Sequence, residues 1–185
     1  MKVITSVNLP QVIKDKYLFF DSDFLSELYE SEEVFTSVLK LLNANPLLID
    51  PLVRFEFLRS VFLPKQFNLK RKFIMQEIFI NPASHQEIFT KLQENALLLS
   101  QIYAHHGSGK GASFIDLLLG ARIMFQYSVS LLITGNKKDY SSTIFDVEGV
   151  INIEKNDGDI KSYCILSFNN GRFHSCLKQL NNLVN

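Results

Sequence analysis

Short, continuous apolar runs that end in a polar residue, with helically spaced stretches between them, constrain this chain more than any other feature. Tyr17–Phe20 is the first, closed by Asp21, and an unalternated run of this kind suits a strand buried on both faces. Leu47–Ile49 is a second, and Ser130–Thr134 a third. Val150–Glu154 and Lys161–Phe168 read as further strands around the turn Asn156-Asp157-Gly158-Asp159, and Glu77–Ile80 as a short extended piece.

Between the strands lie helix signals. Residues 24–43 show helical spacing, with Ser31 before Glu32 and Glu33 marking a restart that splits them into two helices. Asp50–Pro51 places an N-cap and a first-turn proline ahead of Leu52, Val53, Phe55, Leu58 and Phe62, and this helix ends before Pro64. A helix over 66–76 follows. Ser84 with Glu87 reads as a capping box that opens a long helix to about His105. The His105–His106 pair then sits where the helix dipole favours imidazole, which reads as capping rather than metal binding. Residues 113–128 and 171–184 complete the helices. The alternation of strand and helix predicts one α/β domain with a mainly parallel sheet: a core over 17–154, an N-terminal arm over 1–16, and a strand-helix extension over 155–185 packed on the same domain.

Composition narrows the function classes. The chain has 185 residues, of which 46% are hydrophobic and 21% charged, with 19 basic against 19 acidic side chains. Disorder is excluded, since it needs low hydrophobicity and high net charge. A bulk-electrostatic case for nucleic-acid binding is removed with it. Residues 1–50, however, carry four basic and eight acidic groups, and residues 51–110 eight and four. The basic excess includes Lys65, Lys70, Arg71 and Lys72; Lys110 and the pair Lys137–Lys138 follow, and such a run is ordinarily a solvated helix face. Cys164 and Cys176 show no metal-ligand spacing and read as free thiols of a reducing compartment. No segment suits a signal peptide or a membrane span, so the expected location is the cytoplasm.

Ligands of an open α/β sheet bind beyond the carboxyl ends of its strands. Four acids fall in such places: Asp21 after the first strand, Glu56 in the helix after the second, Asp116 in the helix 113–128, and Asp139 after Ser130–Thr134. Each has a local explanation as well. Asp21 can cap a helix, Glu56 can pair with Arg59, Asp116 can complete a capping box with Ser113, and Asp139 can sit in a turn. Gathered together, such carboxylates would repel one another, and a hard divalent cation with oxygen ligands is the natural compensation. Metal-assisted phosphodiester hydrolysis is the chemistry that suits this set.

The same residues carry a family resemblance. Phe19-Phe20-Asp21-Ser22-Asp23-Phe24-Leu25-Ser26-Glu27-Leu28 resembles the opening D-T-N-v-L-S-E-L of PIN-domain ribonucleases, including the VapC-type toxins. Val53-Arg54-Phe55-Glu56-Phe57-Leu58-Arg59 resembles their Glu-bearing helix, and Phe114-Ile115-Asp116-Leu117-Leu118-Leu119-Gly120-Ala121 their D-a-l-I-A-A segment. Leu132-Ile133-Thr134-Gly135-Asn136-Lys137-Lys138-Asp139-Tyr140 resembles their L-v-T-r-N-x-x-D-F, so four motifs stand in family order over residues 16–154. The resemblance implies a three-layer α/β/α fold in which Asp21, Glu56 and Asp116 hold Mg²⁺ or Mn²⁺ to cut RNA, with Thr134 positioning the site. It also implies a possible antitoxin-like inhibitor and a homodimer. Asp23 stands where the family has Asn, and Asn136 where many members carry a fourth acid, which leaves Asp139 as its substitute. The basic residues Lys65, Lys70, Arg71, Lys72, Lys137 and Lys138 would then contact the RNA backbone.

Two other readings compete. Asp21-Ser22-Asp23 is similar to the D-x-D of haloacid-dehalogenase-like phosphatases, with Asp21 as nucleophile and Thr134 and Lys138 in later motifs. That pattern needs a final acidic motif after a strand, where this chain has a turn at 156–159, and it leaves Glu56 and Asp116 idle. A PIN-like module that binds RNA or protein without cutting is permitted by Asp23 and Asn136, with the phenylalanines offering a partner groove. The loop Gly107–Gly111 is no phosphate-binding loop: Ala104 replaces its first glycine, Gly111 its Ser/Thr, and it follows a helix.

Overall fold

The computed structural model describes residues 1–42, 44–59, 61–107 and 111–184. Seven strands form one sheet: β1 (Lys2–Thr5), β2 (Tyr17–Phe20), β3 (Leu47–Leu48), β4 (Phe79–Ile80), β5 (Ser130–Thr134), β6 (Phe145–Glu154) and β7 (Ile160–Phe168). Their spatial order is β1-β6-β7-β5-β2-β3-β4. The expectation of a mainly parallel sheet holds for β5-β2-β3-β4, whose pairings are all parallel. It fails for the other half, where β7 runs antiparallel to both β5 and β6, and β1 antiparallel to β6. Between β6 and β7 the reason is the tight turn at 155–159, where the Lys155 amide donates to the Asp159 carbonyl at 2.8 Å. A hairpin can only return antiparallel. Strand β7 therefore lies inside the sheet, and the segment expected as an N-terminal arm supplies its edge, β1.

The helices are α1 (Leu9–Ile13), α2 (Ser22–Glu30), α3 (Glu32–Leu42), α4 (Pro51–Arg59), α5 (Pro64–Ile74), α6 (Gln86–His106), α7 (Phe114–Phe125) and α8 (Asn170–Val184). The restart at Ser31 is real: its hydroxyl accepts from the Val34 amide. Asp50 caps α4 through the Leu52 amide, as the Asp-Pro pair predicts. The capping box at Ser84 does not form. Helix α6 opens after His85 without a side-chain cap, because the buried Arg122 guanidinium holds the Ala83 carbonyl at 3.0 Å and fixes the preceding backbone. Strand β6 starts at Phe145 rather than Val150, carried past Glu148-Gly149 by a bulge. The His105–His106 pair ends α6 as expected, before Gly107 in the left-handed conformation. In the Gly107–Gly111 loop, residues 108–110 (Lys110 among them) lie outside the described residues, as does Asn43 of the 24–43 reading.

Phenylalanine builds much of the core. Phe20 meets Phe24 and Phe79 edge to face, and Phe73 joins Phe35, Phe57, Phe79 and Tyr29, with centroids 5.1–6.1 Å apart. Each fully buried ring contributes about 1.5–3 kcal/mol, and this network fastens α3, α4 and α5 over β2 and β4. Phe55, Phe62 and Phe114 are instead exposed. Both cysteines are free thiols. Among the described residues, no helix is long and apolar enough to cross a membrane.

Connectivity places the candidate site. From β2 the chain moves to β3 and β4 on one side; from β4 it returns through α6 and α7 to β5 on the other side of β2. The strand order thus reverses between β2 and β5, and the crevice beyond their carboxyl ends is where such sheets bind ligands. Asp21 and Thr134 stand at those two ends.

Candidate active site

Register brings the first two residues together. Phe20 pairs with Ile133, so the next residue of each strand, Asp21 and Thr134, meet where the sheet stops. The Thr134 hydroxyl donates to Asp21 Oδ2 at 2.7 Å, and the Ser22 amide donates to Oδ1 at 2.7 Å. Asp21 is also the N-cap of α2, its local explanation, and it is only 4% exposed. Burial raises its carboxyl to about 7, with Asp23 and Asp116 adding repulsion, against the opposing hydrogen bonds from Thr134 and Ser22.

Asp23 follows two residues on, in the first turn of α2. Its Oδ2 accepts from the Gly135 amide at 2.8 Å and its Oδ1 from the Phe24 amide at 2.6 Å. Burial, then the charges of Asp116 and Glu56, push this carboxyl up as well. Gly135 is indispensable to the contact. A Cβ there would lie 2.6 Å from Asp23 Oδ2 and 3.1 Å from the Tyr163 ring. The glycine directly after a strand was the sequence signal for this close approach.

Asp116 opens α7. Its Oδ2 accepts from the Ser113 amide at 2.7 Å, and the Ser113 hydroxyl accepts from the Asp116 amide, a complete capping box. Its charge still acts on Asp21, Asp23 and Asp139, which makes it the common electrostatic neighbour of the group. Asp139 is buried in a 3₁₀ turn over Lys137–Asp139 and accepts a hydrogen bond from the Asn136 side chain. Burial and Asp116 raise its carboxyl, while Lys138 and Asn136 oppose. Glu56 pairs with Arg59 at 3.4 Å and joins the group through its field at Asp23. Each of the four acids singled out in the sequence thus has its local partner; Asp116 acts on Asp21 and Asp139, while Glu56 reaches only Asp23.

The basic residues divide. Lys137 and Lys138 lie beside the site, lining a cavity of about 280 Å³ with Tyr140, Ser141, Ser142 and Phe145. On α5, Lys70 donates to the Phe57 carbonyl and sits 4.3 Å over the Phe57 ring, while Arg71 and Lys72 border a separate shallow hollow with Asn68 and Met75. Lys65 lies in the first turn of the same helix. The charges acting most strongly on Asp21 and Asp23 are carboxylates, not these cations.

Three features had no flag in the sequence. Glu27, 2% exposed, receives Lys161 at 2.7 Å, Lys155 at 3.7 Å and the Tyr163 hydroxyl at 3.1 Å. Burial raises its carboxyl, and these partners outweigh it to leave a net lowering. Arg122, 2% exposed, pairs with Asp50 at 3.2 Å and so neutralises the acid at the end of β3. Among the described residues the buried Tyr140 hydroxyl has no hydrogen-bond partner, although Asp21 and Asp116 act on it.

The donor set around Asp21 is all carboxylate oxygen, which a hard divalent cation selects. Burial first, and neighbouring carboxylates after it, lift the carboxyls of Asp21, Asp23 and Asp139; an all-oxygen set of this kind suits Mg²⁺ or Mn²⁺ in its chemistry. As placed, no three His, Cys, Asp or Glu side chains among the described residues are gathered closely enough to hold a metal ion. The final acidic motif of the phosphatase pattern has no support at 156–159, where Asp157 accepts from the Asp159 amide inside the exposed β6–β7 hairpin. No family model, curated protein or solved structure matches the chain.

Proposed function

We propose that this chain is a metal-dependent ribonuclease of the PIN-like, three-layer α/β/α kind, hydrolysing RNA phosphodiester bonds. The observation that carries the reading is the place of Asp21: buried at the reversal point of the strand order, fixed by Thr134, and surrounded by the fields of Asp23 and Asp116. Asp21, Asp116 and Glu56, with Asp139, would hold Mg²⁺ or Mn²⁺. Such an ion, when bound, supplies a water of lowered pKa and neutralises charge on a phosphoryl group. The chain's own residues do the rest. Thr134 fixes the Asp21 carboxylate, Gly135 fixes Asp23, and Lys137 and Lys138 offer cations to the RNA backbone. The two free thiols suit a reducing compartment such as the cytoplasm.

A second reading, a module that binds RNA without cutting it, is favoured by the commitment of Asp116 to its capping box and of Glu56 to Arg59. One comparison separates the two: purified protein with Mg²⁺ or Mn²⁺, given single-stranded RNA and, in parallel, a small phosphomonoester. Cleavage of RNA that EDTA stops, and that Asp116→Asn lowers at least about a hundredfold, supports the nuclease. RNA binding without turnover supports the module. Phosphomonoester turnover that survives Asp116→Asn overturns both in favour of a phosphatase with Asp21 as nucleophile.

A further inference from the structure

The cavity of about 280 Å³ beside Lys137 and Lys138 has an apolar part and a cationic part. Val147 and Leu166 are register partners, as are Phe145 and Phe168, so Val147, Phe145 and Leu166 stand on one face of the β6–β7 hairpin. Phe145 and Leu166 are buried beneath the cavity, Val147 is 50% exposed, and the Tyr140 ring meets Phe145 edge to face at 5.6 Å. The rest of the lining is polar: Lys137 and Lys138 of the 3₁₀ turn, then Ser141 and Ser142. The charges around it do not cancel. Lys138 acts on Asp139, and Arg172 of α8, which donates to the Ser142 carbonyl, is paired with Asp146. Glu148 accepts from Ser167, whose side chain leaves β7 on the face opposite Leu166. Lys137 is the cation left over. Among the described residues it joins no salt bridge, and its field reaches the Cys164 thiol on the same face of β7 as Leu166.

A short apolar recess beside a surplus cation selects a small anion that carries a compact apolar body. Inorganic phosphate alone would leave Val147 to water. A long acyl chain would outrun a volume near the lower end of the roughly 300–1,000 Å³ of small-molecule sites. A nucleobase meets both conditions: its ring face packs on apolar side chains, and its edge offers polar atoms to a hydroxyl such as that of Ser142. From this lining we infer that the cavity seats one nucleotide of the RNA substrate, its base against Val147, Phe145 and Leu166 and its phosphate at Lys137 and Lys138. The inference rests on the ribonuclease reading and deepens it. The carboxylates act on the phosphodiester, and the cavity holds a neighbouring nucleotide by its base.

The test is titration of the metal-free protein in EDTA with adenosine 5′-monophosphate, ribose 5-phosphate and inorganic phosphate, read from the methyl NMR resonances of Val147 and Leu166. Adenosine 5′-monophosphate is expected to move these methyls upfield, the direction a ring face imposes on methyls packed against it. It is expected to bind about tenfold tighter than ribose 5-phosphate, which lacks the base. This readout needs no variant. Hexa-adenylate RNA is expected to produce the same shifts and to displace the mononucleotide. Val147→Trp, which fills the recess from a half-exposed strand position, is expected to bring adenosine 5′-monophosphate down to the affinity of ribose 5-phosphate and to raise KM for RNA. Lys137→Gln with Lys138→Gln is expected to weaken all three ligands. Equal binding of adenosine 5′-monophosphate and ribose 5-phosphate, or methyls that stay in place, overturns the inference. So does a mononucleotide that hexa-adenylate fails to displace, the mark of a site for free nucleotides. RNA cleavage by a protein whose cavity methyls do not respond to RNA overturns it while the nuclease reading stands. Base-dependent shifts with RNA in a protein that cleaves none uphold the cavity and sink the nuclease reading.

Discussion

The Thr134 hydroxyl donates to Asp21 Oδ2 at 2.7 Å and ties the ends of two parallel strands at the point where the strand order turns back. Without that bond, a carboxylate already raised by burial and two acidic neighbours would lose one of its two donors among the described residues. Its titration therefore governs both the charge of the site and its cost to the fold.

Asp21 has its folded-state carboxyl raised from 3.8 to about 7. The folded chain thus holds a proton that the unfolded chain releases near pH 4. Stability from this group is full below about pH 4 and is lost as pH rises through about 7, amounting to about 4 kcal/mol at most. Metal-free protein should show a falling Tm between those limits, and Asp21→Asn should flatten the fall. Saturating Mn²⁺ should flatten it too, by favouring the ionised carboxylate. A Tm that rises steadily from pH 4 to 7 in the wild-type, metal-free protein would contradict the assignment.

Gly135→Ala places a methyl group 2.6 Å from Asp23 Oδ2 and against Tyr163. Relief requires Asp23 to leave the Gly135 amide, so the variant should lose about 1–3 kcal/mol in urea denaturation. Asp23→Ala combined with Gly135→Ala should recover part of that loss, since the clashing carboxylate is gone.

Arg122→Ala removes the partner of Asp50 and of the Ala83 carbonyl in a buried setting. An uncompensated carboxylate at that depth costs about 3–5 kcal/mol. The double variant Asp50→Asn with Arg122→Met should be markedly more stable than Arg122→Ala alone, a comparison that thermal unfolding makes directly.

Lys137 and Lys138 lie by the carboxylates, and the α5 cations do not. Replacing both by Gln should lower the magnitude of the log–log salt slope for single-stranded RNA binding by about 1.4, at roughly 0.7 per phosphate contact. The pair Lys65→Gln and Lys72→Gln should change that slope less. Equal effects from the two pairs would place RNA along α5 as well.

The local pairings of the candidate residues were legible because their signals are short-range. The Ser113–Asp116 box, the Glu56–Arg59 pair, the Asp50 cap and the Ser31 restart each join residues no more than three apart. Short-range hydrogen bonding and sterics fix such patterns whatever the rest of the chain does. Local reading failed where a distant group intervened: Arg122 reached back to Ala83 and displaced the start of α6. It missed β1 because four half-exposed residues carry no period strong enough to stand out before β6 pairs with them.

Sequence alone determined that this chain alternates buried strands with helices and that acids follow those strands, since apolar runs and caps are properties of neighbouring residues. Tertiary structure decided which ends meet. Only the order β7-β5-β2 sets Thr134 on Asp21, Gly135 against Asp23, and Lys161 on Glu27, pairs separated by more than a hundred residues. Strand order and direction are settled by the hairpin at 155–159 and by burial of whole faces, and neither leaves a mark at the residues it brings together.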